Sequence, residues 1–159
     1  MVHYSAIALG SNLGNSRATV AQAVQALSQT PGVEVQQCSS WYRTAPVGPP
    51  QPDYINGCAV LAVELNPQQL LEALLMVEQK LGRERRVRWG ARTLDLDLLL
   101  FEDLILETPS LQIPHPRMRE RGFVLVPLAE IAPDWVDPVT GMAIAQLVQA
   151  VDCSGITQL

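Results

Sequence analysis

No stretch of the 159-residue chain approaches the roughly 18 consecutive apolar residues that a membrane-spanning helix needs. No basic segment precedes an apolar one in the opening MVHYSAIALGSN, as a secretory leader would require. Both absences point to a soluble cytoplasmic protein with no membrane role. Cysteine is sparse: Cys38, Cys58 and Cys153 are odd in number and far apart, which fits neither a disulfide framework nor a CxxC metal spacing, so buried or inert thiols are expected. Histidine occurs only as His3 and His115, and the aromatic residues are three Trp, three Tyr and two Phe. Internal repeats and low-complexity segments are also missing. Charged residues make up only 17% against 48% hydrophobic, a balance that excludes a disordered chain and suits one domain over 1–159 with a real core.

Positive charge is in deficit. The formal net charge of −5 argues against a general nucleic-acid binder. Of the eleven Lys and Arg residues, however, Arg83, Arg85, Arg86, Arg88 and Arg92 lie within ten positions, opposed there only by Glu84, and Arg117, Arg119 and Arg121 follow. That concentration in an acidic chain predicts a local anion site, not a basic surface.

HYSAIALG (3–10) alternates and ends in glycine, as a strand does, and SNLGNS supplies turn and cap residues. Val20, Ala23, Val24 and Leu27 then recur at helical spacing until Pro31-Gly32. VEVQQCSSWY (33–42) and YINGCAVLAVEL (54–65) have strand composition, and the four prolines of TAPVGPPQPD between them predict a long exposed loop. Asn66-Pro67 opens a helix carried by Leu70, Leu74, Val77 and Leu81 as far as Gly82. After the arginine loop comes a fourth strand, LDLDLLLF. PHPRMRERGF reads as a turn and short helix, LVPLAEIAPDW as another short helical piece, and MAIAQLVQAV as a C-terminal helix. The order strand, helix, strand, strand, helix, strand is the ferredoxin-like (βαββαβ) α+β sandwich, with extra helices at the C-terminal end.

Within RTLDLDLLLF (92–101), side chains at i and i+2 share a strand face, so Asp95 and Asp97 stand together while Leu94, Leu96 and Leu98 point to the core. Two neighbouring carboxylates repel unless a cation lies between them. Mg²⁺, which takes one or two carboxylates and completes its shell with water and phosphate oxygens, meets that need. Taken alone, the same pattern suits the solvent face of an antiparallel strand. The adjacent arginines favour the metal, because carboxylate-held Mg²⁺ beside bidentate arginine donors is the apparatus of phosphoryl transfer. In that loop Trp89 and Gly90 suggest a lid that closes over a ligand. His115, held between Pro114 and Pro116, is placed to hydrogen-bond a phosphate oxygen, whereas His3 is structural or incidental.

WGARTLDLDLLLF followed by IPHPRMRERGFVLVPLAEIAP resembles the signature of the 6-hydroxymethyl-7,8-dihydropterin pyrophosphokinase family of folate biosynthesis. GSNLG and WYRTAPVGPPQPDYINGCAV match that family too, in order and spacing. The resemblance implies a ferredoxin-like fold and transfer of the β,γ-diphosphoryl group of ATP to the pterin hydroxymethyl group, releasing AMP. It further implies two Mg²⁺ ions on Asp95 and Asp97, with Arg83 and Arg92 acting on the ATP phosphates. ATP contacts are implied at Glu78, Arg85, Arg88, Leu98, His115 and Arg121. The pterin would stack between Tyr54 and Phe123, with its edge read by Asn56, Thr44, Ala45 and Val47, and Trp89 closing over it. Pro116 stands where some members have tyrosine, the arginine loop is one residue shorter than in some, and Leu75, Ser110 and Gln112 replace other contacts to ATP. No side chain reads as a poised general base, which phosphoryl transfer tolerates.

The expected partners are these small molecules alone, with a monomer expected and a homodimer left open. Two alternatives stand beside this expectation: another Mg²⁺-dependent phosphoryl or nucleotidyl transferase, and an RNA-binding ferredoxin-like module. The latter would need stacked aromatics on central strands and a basic face.

Overall fold

A computed structural model describes residues 1–12, 15–45, 52–82 and 94–159. Strand β1 (His3–Ser11) lies inside the main sheet, antiparallel to β4 (Tyr54–Val63) on one side and to β5 (Asp95–Phe101) on the other. Every residue of β1 from Ser5 onward is buried, and its sequence is divided between the two faces. Ile7 and Leu9 supply bulk to one face, while Ala6, Ala8 and Gly10 keep the other shallow. Beyond β4 the sheet continues through β3 (Tyr42–Thr44) to β8 (Ile156–Gln158), and β2 (Val33–Cys38) also pairs with β4.

The bulky face packs against two helices. In α1 (Ser16–Ser28) the side chain of Asn15 accepts from Ala18 N–H at 3.3 Å, and Val20, Ala23 and Leu27 are buried. In α2 (Pro67–Gly82) Asn66 and Gln69 cap each other reciprocally: Asn66 Oδ1 accepts from Gln69 N–H at 2.8 Å and Gln69 Oε1 from Asn66 N–H at 2.9 Å. Leu70, Leu74 and Val77 pack against Leu96 and Leu98 of β5, and each fully buried leucine stabilises by roughly 1.5–3 kcal/mol.

The shallow face is covered only in part, by α3 (Gly122–Ile131) and α4 (Ile144–Gln149). Here β5 carries a bulge: Ala6 pairs with Leu100 and Ile7 with Leu98, which leaves Leu99 as the extra residue. The bulge breaks the alternation, so Leu99 and Leu100 both join the core under α3, while Leu98 and Phe101 remain in the core under α1 and α2. Two short strands, β6 (Leu106–Glu107) and β7 (Gln112–Ile113), form a separate ribbon.

Several expectations are corrected. The strand read over 33–42 is two strands, interrupted at Ser39–Trp41 where the ring of Trp41 lies on Gly57; a Cβ at Gly57 would stand 2.4 Å from that ring. The short helix read in PHPRMRERGF is a single 3-10 turn at Met118–Glu120, and the helical piece read from Leu125 starts earlier, at Gly122, with Pro127 inside it. Of the thiols, Cys58 is buried but Cys38 is exposed, its pKa raised by partial burial and by Glu130. His3 is structural, its ring 5.3 Å from that of Phe101 and its Nδ1 3.4 Å from Glu102. No described helix is long and apolar enough to cross a membrane.

Candidate functional site

Where α3 stops short of the sheet, the shallow face opens into a cleft of about 350 Å³. Its floor follows from pairing. Gly10 stands opposite Asn56 on β4 and opposite Asp95 on β5, while Ala8 stands opposite Cys58 and Asp97. Residues directly opposed across a sheet share a face. Asn56, Asp95 and Asp97 therefore project to one side, over a floor with almost no side chain. With strands spaced about 4.8 Å apart, Asn56 and Asp95 are roughly 10 Å apart at the backbone.

At one end of the cleft Asn56 is 6% exposed and its Nδ2 donates to Thr44 Oγ1 at 3.0 Å. This contact fixes the amide so that its oxygen lies above Gly10. A Cβ at position 10 would be 2.9 Å from Asn56 Oδ1. Glycine is therefore required by the close approach, not by a left-handed φ. Gly10→Ala is expected to push the amide aside and raise the KM for a ligand read by Asn56 about tenfold, with kcat little changed, as steady-state kinetics would show. Tyr54, Phe123, Thr44 and Ala45 line the same end, the two rings half-buried.

At the other end stand Asp95, Asp97 and Arg121, the two carboxylates half-buried. Arg121 precedes α3 and lies over the Phe123 ring, its guanidinium carbon 5.6 Å from the ring centroid, so one cation–π contact ties the anion side to the aromatic side. His115 is placed through the backbone, its N–H donating to the carbonyl of the bulged Leu99 at 3.0 Å. Burial lowers the His115 pKa, helped by Arg121 and Arg117 and opposed by Asp97. Its Nδ1 accepts from Arg117 N–H at 3.1 Å, which assigns the proton of the neutral ring to Nε2 and makes that nitrogen a donor. Glu78, on α2, accepts from Leu96 N–H at 2.6 Å and so pins the outer edge of β5 between the two aspartates.

The structure thus brings Thr44, Ala45, Tyr54, Asn56, Asp95, Asp97, Arg121 and Phe123 to one cleft. The side chain of Leu98 is packed in the core beneath α2, the residue being only 4% exposed. Val47, Arg83, Arg85, Arg88, Trp89 and Arg92 lie outside the described residues. Sequence reasoning missed Gly10 as floor, the Arg121–Phe123 stack and the anchoring role of Glu78. Of these only the first left a signal, the small–large alternation of β1.

A buried amide and two aromatic rings share one cleft with paired carboxylates and an arginine over a bare floor, an arrangement suited to a flat heterocycle and a polyanion together. The family profile of 7,8-dihydro-6-hydroxymethylpterin-pyrophosphokinase matches residues 6–133, and the chain belongs to that family. It is 54% identical over 154 residues to the 2-amino-4-hydroxy-6-hydroxymethyldihydropteridine pyrophosphokinase of Synechocystis sp., covering 97% of this chain and 79% of that one. To the enzyme of the same name from Pseudomonas aeruginosa it is 42% identical over 160 residues, covering 100% and 98%. Among solved structures, Plasmodium falciparum HPPK-DHPS with pteroate shares the fold, with a TM-score of 0.76 at 13% identity over 94% of this chain. This chain spans 42% of that longer one.

Proposed function

We propose that the chain transfers the β,γ-diphosphoryl group of ATP to the hydroxymethyl group of 6-hydroxymethyl-7,8-dihydropterin, forming AMP and the pterin diphosphate for folate biosynthesis, as one pyrophosphokinase unit over 1–159. The carrying observation is that one cleft holds both recognition elements at a separation a single bound substrate pair can span: Asn56 with Tyr54 and Phe123, and the pair Asp95 and Asp97. A ferredoxin-like frame is supported by the antiparallel order β5-β1-β4 followed by β2 and β3. Groups from one chain suffice, which favours a monomer, and a need for ATP favours the cytoplasm.

Tyr54 and Phe123 hold the pterin ring, and Asn56, fixed by Thr44, reads its edge. The hydroxymethyl oxygen then points across Gly10 toward the aspartates. That oxygen bonds to the β-phosphorus as the bond from β-phosphorus to the α,β-bridging oxygen breaks; AMP leaves with the bridging oxygen, and the hydroxyl proton passes to solvent. His115 Nε2–H and Arg121 donate to phosphate oxygens and hold the chain in line. Arg83 and Arg92 supply further phosphate contacts.

Among the described residues no group of three or more metal-ligating side chains occurs. Two carboxylates on one strand face fit Mg²⁺ that keeps most of its shell for phosphate and water, and suit two such ions sharing the triphosphate. Asp95 and Asp97 would hold them, and the ions would neutralise charge developing on the transferred group.

Incubation with Mg²⁺, ATP and the hydroxymethyl-dihydropterin should yield AMP and the pterin diphosphate in equal amounts. ADP as the nucleotide product would instead indicate a different phosphoryl transferase. Arg92→Ala is expected to lower kcat at least tenfold while changing pterin affinity less than threefold, as single-turnover and equilibrium titrations would show. Equal effects on both would remove Arg92 from the transfer step.

A further inference from the structure

The segment Asp152–Leu159 lies beyond the 6–133 match, yet it meets both walls of the heterocycle end of the cleft. Along one wall β8 pairs antiparallel with β3: Tyr42 opposite Gln158, Arg43 opposite Thr157, Thr44 opposite Ile156. Two hydrogen bonds extend this ladder. Ala45 N–H donates to the Gly155 carbonyl at 3.4 Å, and Leu159 N–H to the Trp41 carbonyl at 2.9 Å. Gln158 Nε2 adds a bond to Ser40 Oγ at 3.2 Å. β3 is only three residues long, too short to be held firmly by β4 alone.

Along the other wall the same segment abuts Gly122, the residue before Phe123. A Cβ there would stand 2.7 Å from the Asp152 carbonyl oxygen and 3.1 Å from Ile156 Cδ1. Ile156 therefore spans the gap, its backbone in register with Thr44 and its side chain against the first residue of α3.

We infer that Asp152–Leu159 is a positioning clamp for the pterin. It sets the distance between β3, which carries Thr44, and the start of α3, which carries Phe123, and so determines how tightly the ring is gripped. The clamp rests on the reaction proposed above. Because β8 and β5 occupy opposite edges of the sheet, the β8 side of the clamp governs pterin affinity, and the clamp reaches the ATP end only through Arg121 beside Gly122.

The test titrates 6-hydroxymethyl-7,8-dihydropterin in the presence of Mg²⁺ and α,β-methylene-ATP, whose α–β linkage cannot be cleaved. Gly122→Ala forces a backbone carbonyl away. Gly155→Val places a branched side chain at φ +79° in open space, straining the turn into β8 without a clash. Gly141→Val is the matched control, at φ +75° in equally open space but in another loop. Pterin affinity should fall at least tenfold in the first two variants and less than twofold in the control, with ATP affinity within twofold in Gly155→Val and in the control.

Hydrogen exchange on the unaltered protein should show pterin slowing the Ala45 and Ile156–Gln158 amides, which keeps the question answerable if either variant fails to fold. Unchanged pterin affinity in both variants, an equal loss in Gly141→Val, or no protection of β8 would each overturn the clamp. Failure of the unaltered protein to bind pterin at all would overturn the reaction itself.

Discussion

Asp97→Asn is expected to lower the rate of AMP formation by about three orders of magnitude, equivalent to about 4 kcal/mol of transition-state stabilisation. The substitution is isosteric, and Asp97 is half-buried opposite Ala8, so neither packing nor pairing of β5 changes. What is lost is the second of two charges on one face and, on the function proposed above, the means of concentrating cation charge at the triphosphate. Asp95→Asn is expected to behave similarly, because Asp95 presents its carboxylate on the same face opposite Gly10. Circular dichroism and the thermal midpoint should match the parent, and raising Mg²⁺ should recover part of the lost rate. Near-normal AMP formation by both variants in single-turnover assays would remove the metal role from this strand.

What the sequence revealed about this site depended on period. Alternation placed Asp95 and Asp97 together because a strand leaves no other choice, and Leu94, Leu96 and Leu98 face the core as expected. Asn66-Pro67 announced α2 because its cap is local chemistry. Features set by distant partners were hidden. Leu99 reads as one more leucine, and only the register against Ala6 and Ile7 makes it a bulge whose carbonyl can hold His115.

Pro127 lies inside α3, and the helix continues through it because burial of Val124, Leu125 and Leu128 on β4 outweighs one missing backbone bond. β8 has no apolar run to betray it, since its strand character comes from pairing with β3. Tyr42 is similar: a strand residue by composition, it proves to be a tether whose hydroxyl donates to Glu130 at 2.6 Å. Burial and that carboxylate push the Tyr42 pKa up to about 12.

Asp137→Ala is expected to cost about 3 kcal/mol of folding stability. Asp137 is fully buried, its carboxylate accepting from the Arg119 guanidinium, from Val139 N–H at 3.0 Å and from Thr140 Oγ1 at 2.9 Å. Truncation leaves all three donors unpartnered and the guanidinium partly desolvated. For a chain of this size the thermal midpoint should drop by roughly 6–12 °C.

Burial alone would raise the Asp137 pKa, but the bonds from Arg119, Val139 and Thr140 bring it below the ordinary 3.8. The unfolded chain therefore takes up the proton first as pH falls, so this contribution is complete at neutral pH and drains away below 3.8. Arg119 has its own pKa raised by the same contact and stays charged across that window. The gap in thermal midpoint between parent and variant should accordingly be widest near neutral pH and narrow on acidification through that range. A gap independent of pH would mean that Asp137 contributes through packing instead of through its charge.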